Sequence, residues 1–426
     1  MMVNIHMILS LVVFVAVYWA ISTEIINKAA AALLGGLVMV LMGVLDQESA
    51  YAHVDWNVIF LLIGMMIIMS ITKRTGIFQY IAIKIAKLSR GEPIVILVAL
   101  SLITAVVSAF LDNVTTVLII IPITILIAVE LGISPVPFVI TLAIASNIGG
   151  TATLIGDPPN IMIGSAANLS FVDFIVTLSP VILIILVISS LMVILMFKKQ
   201  LQVTNERKAR VMNFDESKAI EDPVLLVKSM VVLGLVILAF LLHGVLNFEP
   251  STIALTGAVL LIILSGAKEL EHIFAEVEWT TIFFFFGLFI VVGALVEVGI
   301  MSMVSSWLLE VTKGNLKLTQ YVILWVSSIV SAVVDNIPFV ATMIPLIKDM
   351  GNQLGAEAIK PLWWALSLGA CLGGNGTLIG ASANVVSAGL SAKSGYPISF
   401  WDFTKIGAIF MFMSIIVSSL YIFVKF

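Results

Sequence analysis

Two aspartate–asparagine pairs, Asp112-Asn113 and Asp335-Asn336, interrupt stretches that are otherwise almost wholly apolar. A carboxylate can take up and release a proton, and the amide beside it both donates and accepts hydrogen bonds. Capping a helix at a turn is the plainer role for either pair. Recurrence at the same place in both halves of the chain favours function, because a charge at mid-membrane depth costs roughly 3 kcal/mol even on lenient scales.

A second constellation also occurs twice. It reads Gly149-Gly150-Thr151-Ala152-Thr153-Leu154-Ile155-Gly156 in one half and Gly373-Gly374-Asn375-Gly376-Thr377-Leu378-Ile379-Gly380 in the other. Each glycine costs a helix about 1 kcal/mol, so these runs break the helices that contain them. Breaking frees N–H groups at one half-helix start and carbonyls at the other half-helix end, which are ready sites for polar solutes or ions. The candidate solute ligands are Asn113, Thr115, Asn147, Gly149, Gly150, Thr151, Thr153, Asn336, Cys371, Gly373, Gly374, Asn375 and Thr377. The candidate proton-coupling groups are Asp112, Asp335 and Asp157. Asp157 has Ala381 at its matching position, which leaves a titrating role and a cap before Pro158-Pro159 equally open.

Other chemistries are excluded. Cys371 is the single cysteine, so one chain holds no disulfide framework, thiolate zinc site or iron–sulfur cluster. It reads first as a small packing residue just ahead of the second break. His6, His53, His243 and His272 carry no spacing signal and read as structural. No nucleotide-binding loop, nucleophile–base pair or metal cluster is visible, so neither enzyme activity nor a cofactor nor a bound metal is expected.

The elements that position these residues follow from composition. Of 426 residues, 61% are hydrophobic and 11% charged, and the mean hydropathy is +1.19. Soluble domains carry roughly 25% charged residues. Apolar runs long enough to cross about 30 Å of hydrocarbon recur from end to end. The chain is predicted to be an all-α polytopic membrane protein. Its net charge of −4 comes with no basic patch, which excludes nucleic acid as a partner. The first apolar stretch lacks a basic flank and a small-residue cleavage site and is read as a retained helix.

Spans are predicted at 5–21, 29–45 and 56–72, followed by a short amphipathic helix at 77–88 lying at the interface. Two apolar arms, 94–129, meet at Asp112-Asn113. Their turn cannot face lipid, so they form a re-entrant hairpin whose tip is buried in protein. A broken helix at 138–168 and a span at 174–197 complete the first half. The stretch 198–224, with six basic and five acidic residues, is a solvated linker. The second half, 225–426, repeats the first, with its hairpin near 320–348 and its broken helix near 362–391.

A shift of 223 places Trp56 on Trp279, Gly64 on Gly287, Ser108 on Ser331, Asp112-Asn113 on Asp335-Asn336 and Pro122 on Pro345. A shift of 224 places Gly149-Gly150 on Gly373-Gly374 and Asn160 on Asn384. Such a repeat marks a secondary transporter. Five crossings per half invert the second copy relative to the first. With the N-terminus outside, sixteen Lys/Arg (Lys28 and Lys268 among them) fall inside and five outside. That places the linker in the cytoplasm and the C-terminus outside.

Ser-Ala-Phe-Leu-Asp-Asn-Val-Thr-Thr-Val (108–117) and Ala-Ser-Asn-Ile-Gly-Gly-Thr-Ala-Thr-Leu-Ile-Gly-Asp-Pro-Pro-Asn (145–160) resemble the arsenite/antimonite efflux permease (ArsB) and P-protein family of the ion transporter superfamily. The resemblance runs over essentially the whole chain. It implies two inverted repeats working by elevator- or rocking-type alternating access, in a prokaryotic inner membrane, and export of arsenite or antimonite in exchange for protons. A sodium/proton antiporter or another anion permease of the superfamily is the alternative. The superfamily's dicarboxylate symporters carry Ser-Asn-Thr at their tips. Acidic tips here would repel a dianion and favour proton or cation coupling. Arsenite is a neutral trihydroxy species, which Asn113, Thr151, Asn336, Asn375 and Thr377 can meet with hydrogen bonds. A cytoplasmic ATPase subunit is a partner left open.

Overall fold

Polar residues scattered through an apolar chain fall where helices begin. Asn27 accepts from the Ala29 and Ala30 amides, Asp112 from Thr115 at 2.8 Å and Asp335 from Ile337 at 3.2 Å, so each satisfies an orphan donor of a first turn. The structure is a computed structural model that describes residues 5–23, 25–266 and 270–426. Lys268, counted above on the inner side, lies outside the described residues.

The first half runs α1 (Ile5–Thr23), α2 (Lys28–Leu41), α3 (Gln47–Ala52), α4 (Trp56–Lys73), α5 (Ile77–Leu88), α6 (Pro93–Ser108), α7 (Asn113–Leu131), α8 (Val136–Gly150), α9 (Pro158–Ala167) and α10 (Phe171–Phe197). In the linker stand α11 (Asn205–Met212) and a 3-10 turn, Glu216–Ala219. The second half runs α12 (Pro223–Leu246), α13 (Pro250–Ser265), α14 (Leu270–Ala275), α15 (Trp279–Glu297), α16 (Ile300–Val311), α17 (Leu316–Ser331), α18 (Asn336–Leu354), α19 (Lys360–Gly373), α20 (Ser382–Lys393) and α21 (Phe400–Lys425). Helices α12 to α21 follow α1 to α10 one for one. Among the described residues, seven helices (α1, α4, α7, α10, α12, α15 and α21) are long and apolar enough to cross a membrane.

Packing follows the repeat. Helix α2 lies along α15 and α4 along α13, and the shift that carries one pair into the other exchanges the halves. Both contacts are backbone-close. A Cβ on Gly64 would stand 2.7 Å from the Ala254 carbonyl carbon, and one on its counterpart Gly287 would stand 2.4 Å from that of Ala32. Small residues that let backbones meet are how helices associate where lipid removes any hydrophobic drive.

The helices sort into two bodies. A framework holds α1 to α4 with α12 to α15. A second body holds α5 to α10 with α16 to α21, in which α6 packs on α8 and α17 on α19. There the halves interlock, since α9 lies against the hairpin arm α18, and α20 against α7. Between the bodies the main contacts are α4 with α9, α15 with α18 and α10 with α12, besides the direct connections α4–α5 and α15–α16. The linker straps the second body, with α11 lying on α5 and α7. Lys87 donates to the Phe214 carbonyl at 3.1 Å and pairs with Glu216, and Lys208 pairs with Glu92.

Candidate functional site

The hairpin tips and helix breaks meet at the centre of the second body. Each break is pinned to its hairpin by close backbone approach. A Cβ on Gly149 would stand 2.0 Å from the Ala105 carbonyl oxygen, and one on Gly373 would stand 2.6 Å from the Ser328 carbonyl oxygen. Thr153 and Thr377 donate to the carbonyls of Ala109 and Ala332, which lie just ahead of the tips. Asn160 gathers the carbonyls of Gly150, Thr151 and Thr153 at 3.4, 3.1 and 2.8 Å. Its counterpart Asn384 gathers those of Gly374 and Thr377 at 2.8 and 3.0 Å. The unwound carbonyls are thus partly held by side chains of the same repeat, as buried backbone groups must be.

A chain of amides crosses between the repeats. Asn113 Nδ2 donates to Asn147 Oδ1 at 3.0 Å. Asn147 Nδ2 donates to Asn375 Oδ1 and Asn384 Oδ1, both at 2.9 Å. Under the shift of 224 the position of Asn147 is taken by Cys371, whose Sγ lies 3.5 Å from Asn160 Oδ1, an atom that also accepts from Ser367 at 2.6 Å. The two sites play one part in each repeat, an amide in the first and a thiol in the second. Asp157, 1% exposed, lies between the tips: Asn113 Nδ2 reaches its Oδ1 at 3.4 Å and Asn336 Nδ2 its Oδ2 at 3.3 Å. Asn375 Nδ2 is buried with no partner among the described residues.

In front of this network, between the two bodies, lies a cavity of about 370 Å3. The second body contributes Asp112, Asn113, Asp157, Asn336 and Ser382 to it, and the framework Lys28, Leu62, Met66, Glu278, Thr280 and Thr281. A second lobe of about 360 Å3 shares Lys28 and Ser382 with the first and reaches Asp335. Of the residues singled out in the sequence, Asp112, Asn113, Asp157 and Asn336 line the first lobe and Asp335 the second. Asn147, Gly149, Gly150, Thr151, Thr153, Cys371, Gly373, Gly374 and Asn375 lie behind them, buried, and Thr115 and Thr377 are half-buried beside the tips.

Sequence reasoning missed the framework wall. Lys28 pairs with Asp335 at 3.3 Å and donates to Ser382 Oγ at 2.9 Å. Glu278 accepts from Thr281 at 3.1 Å. One signal was available. A lysine at the first position of α2 runs against the helix dipole, which favours anions there, so it needs a local reason.

The cavity and its polar lining stand between the two bodies, and comparison with known proteins shows the family. A family model described as citrate transporter (CitMHS) matches residues 16–369. The chain belongs to this citrate transporter family. The family member is 44% identical over 424 residues to an uncharacterized transporter of Mycobacterium tuberculosis, covering 98% of both chains. It is 33% identical over 495 residues to the human P protein, covering 97% of this chain and 59% of that one. That match agrees with the P-protein side of the resemblance in the motifs. The crystal structure of the Alcanivorax borkumensis YdaH transporter, described as having an unusual topology, superposes with a TM-score of 0.50 over 99% of both chains at 12% identity, which is likeness of fold. This citrate transporter family member is an integral membrane transporter and not an enzyme.

Proposed function

We propose that the chain is a proton-coupled secondary transporter that exports small hydroxylated solutes, arsenite or antimonite, across a bacterial inner membrane. The observation that carries this reading is the composition of the central cavity. Carboxylates of Asp112, Asp157 and Glu278 stand beside the neutral hydrogen-bonding side chains of Asn113, Asn336, Thr280, Thr281 and Ser382. The amides and hydroxyls suit a neutral polyhydroxy solute, and the acids suit protons moving the other way. Reading the N-terminus as outside puts Lys28 and Glu278 at the cytoplasmic ends of α2 and α15, the side from which an exporter loads.

The excess of acids favours a second reading, exchange of a small cation such as sodium for protons. Citrate, the solute named by the family, would meet three carboxylates and Asp335, with Lys28 as the single base among the described residues that line the cavity. Flux into proteoliposomes under an imposed pH gradient separates the three. Gradient-driven movement of arsenite, with little of sodium or citrate, is the expected result. Movement of sodium or citrate without arsenite would overturn the assignment.

A further inference from the structure

The contact of Lys28 with Asp335 is the ion pair that joins the two bodies, beside a hydrogen-bonded link from the Tyr18 hydroxyl on α1 to the Pro338 carbonyl and Thr342 on α18. Lys28 stands on α2 of the framework. Asp335 caps α18, and Ser382 opens α20, both in the second body. The three side chains form a closed triangle: Lys28 Nζ to Asp335 Oδ2 at 3.3 Å, Lys28 Nζ to Ser382 Oγ at 2.9 Å, and Ser382 Oγ to Asp335 Oδ2 at 2.7 Å. The ammonium also sits 5.3 Å from the centre of the Phe284 ring on α15, a cation–π contact from the framework side. The lysine and aspartate side chains are 30% and 14% exposed, so water screens the pair only in part.

The repeat makes the contact one-sided. The residue matching Lys28 is Ser251, which donates to Asn57 within the framework at 2.8 Å. Asp112, the counterpart of Asp335, makes no ion pair among the described residues. Among the described residues, the other charged groups lining the two lobes are Asp112, Asp157 and Glu278, all acidic, so no second base of that lining replaces Lys28.

We propose that Lys28 is a positioning residue whose ammonium latches the framework to the second hairpin tip and is released when Asp335 takes up a proton. A neutral Asp335 loses the ionic attraction that holds the bodies in this arrangement. The proton load of one tip then governs whether the second body can move, while Asp112 is left for exchange without a built-in competitor. The proposal rests on the proton-coupled reading above and extends it to Lys28, a residue that reading does not need.

The test uses no solute, so that failure of the latch and failure of the arsenite assignment are separate outcomes. In a Cys371→Ser background, Ile26→Cys and Val385→Cys place thiols on opposite walls of the second lobe, one on each body. Crosslinking by a flexible bis-maleimide in proteoliposomes reports how often the bodies occupy this arrangement. Lys28→Gln and Asp335→Asn are each expected to slow crosslinking several-fold, and the double variant to slow it no further, because both remove one interaction. Lys28→Arg should keep the parent rate, and acidification, which slows every maleimide reaction by depleting thiolate, should slow the parent by more than it slows Lys28→Gln. A rate in Lys28→Gln within twofold of the parent, additive effects in the double variant, or a parent-to-Lys28→Gln rate ratio indifferent to pH would overturn the latch.

Discussion

At the scale of single residues, the site is a set of polar groups that satisfy one another and leave a few atoms to spare. Asp157 shows why. It accepts one amide from each hairpin tip, so its charge state is felt by both repeats at once. Asp157→Asn keeps the volume but puts donors where two amides already donate. Since hydrogen bonds to a charged group are worth about 1.5–3 kcal/mol, gradient-driven flux should fall by about tenfold or more. Asp112→Asn and Asp335→Asn should each lose most of the pH-gradient dependence. Retention of it in both variants would exclude the tips as proton carriers. Asn147 differs because it does not line the cavity. Asn147→Ala would strip partners from Asn113, Asn375 and Asn384, each loss costing about 1–3 kcal/mol when buried. The expected signature is a lower melting temperature of the purified protein, with any loss of flux following from it. Cys371→Ser should leave most flux intact, since a hydroxyl can still donate to Asn160. Asn375→Ala should lose more, because it removes the acceptor held by Asn147.

At the scale of elements, glycine positions decide whether the hairpins and broken helices fit. Gly149→Ala would drive a methyl group to 2.0 Å from the Ala105 carbonyl oxygen, where backbone and not a flexible side chain must yield. Overpacking of this kind costs about 1–3 kcal/mol or more, and the yield of folded protein in detergent should drop sharply. Gly389→Ala in α20 meets nothing within 4 Å and should be tolerated or slightly stabilising. The tips and breaks were legible in the sequence because polar and glycine residues stand out against leucine and isoleucine, and because they recur at a fixed shift. The hairpin arms α6 and α7 were legible too, and so was α5 ahead of them, which starts and ends where its pattern of lysines on one side indicated. Partner choice was not legible. Helices such as α4 and α15 are apolar on every face, so no amphipathic stripe tells which side meets protein and which meets lipid. Lys28 and Glu278 were passed over for a related reason: a charge at a helix end reads as an interfacial anchor until tertiary packing carries it to a cavity. The linker contact with α5 depends on Lys87, which holds the Glu216 carboxyl below its ordinary value. A depressed carboxyl stabilises the docked strap above its ordinary value, near 4.3, and the stabilisation is lost as pH falls through the lowered one. Protease nicking between residues 198 and 222 should therefore rise in that acid range, and Glu216→Gln should remove the pH dependence.

At the scale of the whole molecule, the decisive feature is that the best-packed contacts lie within each body and the cavity lies between them. The framework is closed by α2 on α15 and α4 on α13, both at backbone distance, so it cannot open without tearing its own contacts. The second body is closed in the same way by hairpin on broken helix, and its halves interlock through α9 on α18 and α20 on α7. Interiors packed this closely have discrete arrangements rather than soft ones. The soft boundary is the one lined by Leu62 and Met66 on one side and Leu118, Pro158 and Val386 on the other. Alternating access by sliding or rocking at that boundary would move the tips and breaks as a unit and leave their hydrogen bonds intact. A crosslink across the boundary should therefore stop transport, while one inside a body should not. Met66→Cys with Leu118→Cys bridges framework and hairpin, whereas Leu102→Cys with Ala145→Cys bridges α6 and α8 of the same body. With Cys371→Ser as background, a bis-maleimide should abolish gradient-driven flux in the first pair and spare it in the second. A reducible linker should restore flux in the first pair when cleaved. Full flux through the crosslinked Met66–Leu118 variant would mean that the bodies do not move against each other, and that the solute passes through a fixed pore at the tips.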